Sequence, residues 1–194
     1  FKISILSTSN SVFTYNLLDS NVVIDSLVIN LTALDTNIFF NSAFELYYFP
    51  ESGDSIFTED ESNYTNITES DVANGILIGT SHFTQTEPDS DEVIFPTLSF
   101  KIEDIQDVLN FIADTLDNEN RTFMLRNVEP IDGIVSIASK ESAYYPVLDA
   151  YYRFEEDTLH SIFYSIDDIT IVEPRELLDD DKNYISICRA AGLK

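Results

Sequence analysis

With a single cysteine, Cys188, the chain has no partner for an internal disulfide, so its fold does not rest on crosslinks. Its 194 residues suffice to bury a hydrophobic core without staples, and one domain with extra segments at its ends is expected. An extracellular setting is compatible with this, because a core of that size needs no disulfide. Tryptophan is absent, and 5 glycines and 6 prolines are too few for a linker or a low-complexity chain. Basic residues are scarce: 10 Lys and Arg against 35 Asp and Glu leave a net charge of −25. A field of that sign repels phosphate backbones and anionic membranes, which argues against nucleic-acid binding through a basic face. No apolar run approaches the roughly 18 residues of a membrane span, and nothing resembles a signal peptide, so membrane insertion is not expected. The first residue is Phe1 rather than Met, and a processed form or a piece of a longer chain is expected.

What is present favours strands. The 14 Phe and 10 Tyr, with many Ile and Val, suit pleated, half-buried surfaces. "FKISIL" alternates, "NLLDSN" reads as a turn, and in "VVIDSLVINLTAL" Leu27, Ile29 and Leu31 fall opposite Ser26 and Asn30, the period of two of a one-sided strand. "SAFELYYFPES" follows as an aromatic strand ended by Pro50. Residues 51–75 carry seven acidic residues and are too long for an ordinary connection, so a surface loop is expected there.

"ILIGTSHFT" and "VIFPTLSFKI" read as strands around the acidic turn "QTEPDSDE". One helix is predicted at about 104–116: Ile105, Val108, Leu109, Ile112, Ala113 and Leu116 make an apolar stripe, with Gln106, Asp107, Asn110 and Asp114 opposite and Asp104 as N-cap. "RTFMLRNV", "IVSIAS" and "PVLDAYYRF" resume the strands, the last with Leu148, Ala150, Tyr152 and Phe154 on one face. "LHSIFYSIDDITIVEP" has the length of one strand or a pair. The expected fold is all-β, a jelly-roll-like antiparallel β-sandwich with one short amphipathic helix.

The order of these segments resembles a known family. "YNLLDSNVVIDSLVINL" looks like an F-D-L-S strand followed by an A-x-L-x-L strand. "LSFKIEDIQDVLNFIADTLDNENRTFML" resembles an F-D-I-T-x-x-V-x-x-W segment, with Phe111 or Ile112 where the family has Trp. "GIVSIASKESAYYPVLDAYY" resembles the closing F-x-S-x-E-x-x-x-x-P-x-L-x-V-x-Y. Together they are similar to the DNRLRE family of β-sandwich modules, which implies a carbohydrate-binding-module-like jelly roll recurring in tandem on secreted surface or phage structural proteins. The resemblance places a module at residues 1–156. Residues 157–194 would then be connecting strands, because "KNYISICRAAGLK" resembles the opening of a following repeat or an inter-subunit segment.

Chemistry-bearing residues are sparse. His82 and His160 lack the H-x-H or H-x-x-x-H spacing of a metal site, and structural or surface roles fit both. No G-x-S-x-G elbow, Walker A or G-x-G-x-x-G pattern occurs, and nothing around Cys188 signals a nucleophile, so no enzyme is expected. Calcium is the one cofactor with hard oxygen ligands on offer, from Asp89, Asp91 and Glu92 and from Asp179, Asp180 and Asp181, although solvated acidic turns explain both runs. N-x-T sequons stand at Asn30, Asn63, Asn66 and Asn120, the middle two in the long polar loop. Pro146 suits the first position of a strand, and Lys140 with Glu141 reads as a charged turn.

The expected function is a non-enzymatic structural module of a repetitive cell-surface, appendage or virion fibre protein. It would assemble with copies of itself or with other structural subunits through strand and sandwich contacts. The alternative is a glycan-binding module of an adhesin or secreted enzyme, for which Tyr47, Tyr144 and Tyr145 are the nearest aromatic candidates. Exposed aromatics on one sheet face would separate the two.

Overall fold

A computed structural model describes residues 1–4, 17, 20–34, 42–49, 73–84, 94–105, 120–128 and 135–168. They form an all-β fold of eight strands: β1 Lys2–Ser4, β2 Val22–Thr32, β3 Ala43–Phe49, β4 Ile76–His82, β5 Thr97–Ile102, β6 Asn120–Asn127, β7 Val147–Phe154 and β8 Asp157–Asp167. Every pairing is antiparallel, in the order β4-β3-β6-β1-β8-β7-β2-β5. The two end strands meet where Thr84, just past the end of β4, and Thr97, the first residue of β5, exchange both backbone hydrogen bonds at 2.9 and 2.8 Å. The sheet therefore nearly closes on itself. First with eighth, second with seventh and third with sixth strand are nested antiparallel pairs, the winding of a jelly-roll ribbon, while β3–β4 and β7–β8 are direct sequence neighbours.

Period-two alternation sets the inner face. Leu27, Ile29 and Leu31 of β2, Leu98, Phe100 and Ile102 of β5, Leu148, Ala150 and Tyr152 of β7, and Phe44, Leu46 and Tyr48 of β3 are all buried. The register stacks them across strands, with Ile29 opposite both Phe100 and Leu148, and Leu148 opposite Phe163. Residues from both halves of the sheet join one apolar cluster, and each fully buried aliphatic or aromatic side chain contributes about 1.5–3 kcal/mol. Tyr152 keeps its hydroxyl in this core by sharing a 2.8 Å hydrogen bond with Ser161 Oγ.

Two cations lie inside as well. Lys2, 1% exposed, sits 3.5 Å from Asp167, and Arg121 is fully buried opposite Ile3, where burial pushes its guanidinium down to about 10. Gly75 precedes β4 where a Cβ would meet the Phe49 ring at 2.9 Å, so no larger residue fits without displacing that ring. The strand β2 bulges at Asp25, between Ile24 opposite Tyr152 and Ser26 opposite Tyr151.

Two expectations change in the structure, and a third lies almost wholly outside the described residues. "IVSIAS" is not a strand: its described part makes one bridge, Ile137 to Ala33, flanked by hydrogen bonds from Ala138 to Thr32 and from Leu34 to Ser136. The boundary at 156 falls inside a hairpin, because Phe154 pairs with Asp157 and β8 lies between β7 and β1. Residues 157–167 are thus part of the sandwich rather than a connector, and residues 169–194 lie outside the described residues. Of the helix at 104–116, only Asp104 and Ile105 are described, with Ile105 packed against the core.

The central place of β8 gives a direct test. A chain ending at residue 156 loses the strand that pairs on both flanks, a loss on the scale of a whole domain's stability of about 5–15 kcal/mol. Thermal or urea melts should show no cooperative transition for it, and a retained transition would place β8 outside the folded unit.

Candidate functional site

The inner positions of β2 and β7 are apolar and those of β8 are Ser161, Phe163 and Ser165, so the alternate residues of all three strands face outward, and the register lines these up in rows. One row runs Ser99, Asn30, Val147, Tyr164; the next runs Lys101, Val28, Asp149, Ile162; a third runs Ser26, Tyr151, His160. Large apolar side chains stay exposed here: Tyr151 at 44%, Ile162 at 45%, Tyr164 at 49% and Ile166 at 40%.

A hydrogen-bonded chain crosses these rows. Ser99 Oγ donates to Asn30 Oδ1 at 2.5 Å, and Asn30 Nδ2 donates to Asp149 Oδ2 at 2.7 Å. Asp149 Oδ1 lies 2.8 Å from His160 Nε2, and the imidazole stacks on the Tyr151 ring with centroids 4.4 Å apart and an interplanar angle of 13°. Tyr145 meets Tyr164 edge to face at 4.8 Å, bordering the same surface. Beyond the Asp25 bulge, Arg153 clamps that carboxylate at 2.8–3.0 Å, and the hydrogen bonds and charge of Asp25 hold the guanidinium above its ordinary range. The face thus carries flat rings beside fixed hydrogen-bonding groups, a surface suited to a ligand with apolar faces and hydroxyl edges.

Of the three tyrosines proposed from sequence, the structure brings only Tyr145 to this surface. Tyr144, 48% exposed, belongs to the preceding turn and packs on Phe95 at 5.0 Å. Tyr47 is on the outer side of β3, in the other half of the sheet, and its hydroxyl donates to Glu45 Oε2 at 2.7 Å. Tyr151, His160 and Asp149 were not singled out as a site, although the hairpin after Phe154 pairs Tyr151 with His160 directly.

The other candidates are scattered. His82 is exposed on β4, with Nδ1 3.2 Å from the Ser42 carbonyl. Lys140 and Glu141 form a structural corner: Asp168 accepts from the Lys140 amide, the Lys140 ammonium is 3.4 Å from Asp167, and Ser139 Oγ donates to Glu141 at 3.1 Å. Pro146 is buried immediately before β7, one residue ahead of the first strand position its lack of an amide donor suits, and its carbonyl accepts from the Ser165 amide at 3.1 Å. The sequon residue Asn30 lies on the outer side of β2, with Nδ2 and Oδ1 both engaged in the chain above. Asn120 opens β6 opposite Ser4. The calcium candidates Asp89, Asp91, Glu92, Asp179, Asp180 and Asp181, the sequons at Asn63 and Asn66, and Cys188 lie outside the described residues. Among the described residues no three His, Cys, Asp or Glu side chains gather as metal ligands.

No family model, characterised protein or solved structure matches this chain significantly.

The commitment of Tyr47 to Glu45 is measurable. The hydrogen bond to Glu45, followed by burial, raises the Tyr47 phenol above its ordinary value. Its ring resonances should titrate at higher pH than those of an unpaired tyrosine, and Glu45→Gln should lower that midpoint. A midpoint indifferent to Glu45→Gln would break the assignment.

Proposed function

We propose that this chain is a non-enzymatic β-sandwich module of an extracellular surface, appendage or virion protein that binds saccharide on the outer face of β2, β7 and β8. The observation that carries this reading is the exposed Tyr151, its stacked His160 and the neighbouring Tyr164, set beside the chain from Ser99 to Asp149. Sugar rings have apolar faces that lie on aromatic rings and hydroxyl edges that need donors and acceptors, and this face offers both. The net charge of −25 favours a neutral ligand over a sulfated or uronic one. The resemblance to DNRLRE-type modules supports an extracellular setting and is consistent with a binding rather than a catalytic role.

A second reading is contact between copies of the chain through the same surface. Ile162, Tyr164 and Ile166 present an apolar strip on alternate residues of β8 that contributes nothing to a sugar's hydroxyl edge. Assembly by face contact fits the fold better than strand addition, because the Thr84–Thr97 bridge brings the two end strands together and leaves little open edge between them.

Titration with neutral hexasaccharides (glucan, mannan and xylan series) by calorimetry or NMR distinguishes the readings. Saccharide binding should weaken at least about tenfold, roughly 1.4 kcal/mol, in Tyr151→Ala and in Tyr164→Ala, with melting little changed. Binding untouched by both variants would remove this face as the site. Concentration-dependent dimerisation abolished by Ile162→Ser, without saccharide binding, would favour the second reading.

A further inference from the structure

We infer that Ser99, Asn30 and Asp149 are positioning residues that lock His160 in one tautomer, and that His160 Nδ1 is the acceptor the face presents to a ligand hydroxyl. The ligand clause rests on the saccharide reading above; the tautomer clause does not.

The argument follows from donor direction. A carboxylate accepts and cannot donate, so both groups at Asp149 must give it a proton. Asn30 therefore turns its Nδ2 toward Asp149 Oδ2 at 2.7 Å, which leaves its Oδ1 for the Ser99 hydroxyl at 2.5 Å. His160 must likewise carry its proton on Nε2, 2.8 Å from Asp149 Oδ1. In the neutral ring Nδ1 is then bare, and it carries no hydrogen bond among the described residues. Every donor in the chain points toward Asp149, so no member can reverse without leaving two acceptors or two donors face to face. Tyr151 adds the second constraint, because stacking at 4.4 Å and 13° fixes the plane of the ring as well as its edge. His160 itself is exposed, whereas the Asp149 side chain is only 17% exposed. That is the arrangement of a contacting group held by a supporting one. Asp149 has both oxygens occupied, so it supports the histidine rather than meeting ligand.

Asp149→Asn tests this with almost no change of shape. Asn30 would still donate to the new amide oxygen, which turns the new NH2 toward His160 and forces Nε2 to accept. The proton then moves to Nδ1, and the acceptor offered to ligand becomes a donor. The imidazole carbon and nitrogen shifts of His160, recorded in its neutral form without ligand, should report the Nε2–H tautomer in the natural chain and Nδ1–H in Asp149→Asn. The natural chain needs no variant for the first reading, so a folding defect in Asp149→Asn leaves it intact. Cellohexaose, mannohexaose and xylohexaose titrations should show about tenfold weaker binding in Asp149→Asn and no further loss when His160→Ala is added. An Nδ1–H or mixed tautomer in the natural chain overturns the positioning role. An inverted tautomer with unchanged saccharide affinity overturns the ligand contact. No binding of any hexasaccharide by the natural chain, with the Nε2–H tautomer present, removes the saccharide reading and leaves the positioning role standing.

Discussion

The pairing of β7 with β2 on one flank and β8 on the other is the constraint on which the rest of the molecule depends. It brings Ile29, Leu148 and Phe163 together inside, and by the same register it places Asn30, Asp149 and His160 within hydrogen-bonding reach outside. A slip of one residue along β7 would bury Asp149 and Tyr151 and expose Leu148 and Tyr152, so core and face stand or fall together. The Asp25 bulge marks where that register ends on β2. It swings the carboxylate to Arg153 and shifts the remaining strand by one residue.

Local patterning was enough to place the strands that have one wet face. In β2 and β7 the alternation of Leu27, Ile29, Leu31 and of Leu148, Ala150, Tyr152 is unbroken, because each strand contributes one face to the core. What could not be seen locally was which strands meet. The pairing of β1 with both β6 and β8 joins residues far apart in the chain, and nothing in "FKISIL" specifies its neighbours. The same limit explains the boundary at 156: composition alone lets "LHSIFYSID" pass for a connecting strand, whereas nested pairing sets it as an eighth strand beside the first. "IVSIAS" has strand composition but its described part makes a single bridge, from Ile137 to Ala33, which shows how far β-propensity depends on neighbours. For the site, the adjacent pair Tyr144 and Tyr145 stands out along the chain, whereas His160 has no ligand spacing to mark it. The useful signal was the two-residue turn at Glu155 and Glu156. Once read as a hairpin it sets Tyr151 across from His160 and Asp149 across from Ile162. Glu155 adopts φ 56°, a conformation without the glycine that usually announces such turns.

Charge is distributed in a way that composition conceals. Two of the 10 basic residues, Lys2 and Arg121, are buried on the adjacent strands β1 and β6, so they do little to offset the acidic exterior. Lys2 and Lys140 share Asp167 at the end of β8, tying the first strand, the last described strand and the Ser139–Glu141 corner to one carboxylate. The outer face of β2, β7 and β8 is different in character: its principal carboxylate, Asp149, is enclosed by hydrogen bonds, and aromatic rings flank it.

The central claim is that β2, β7 and β8 form one cooperative unit whose register fixes both faces, and residue-resolved native-state hydrogen exchange tests it most directly. If β8 is integral, amides of β8 that bond to β7 should exchange with the same opening free energy as those of β2 and β7, close to that of global unfolding. Amides of β8 that exchange through a separate, low-energy opening while β2 and β7 stay protected would contradict the account.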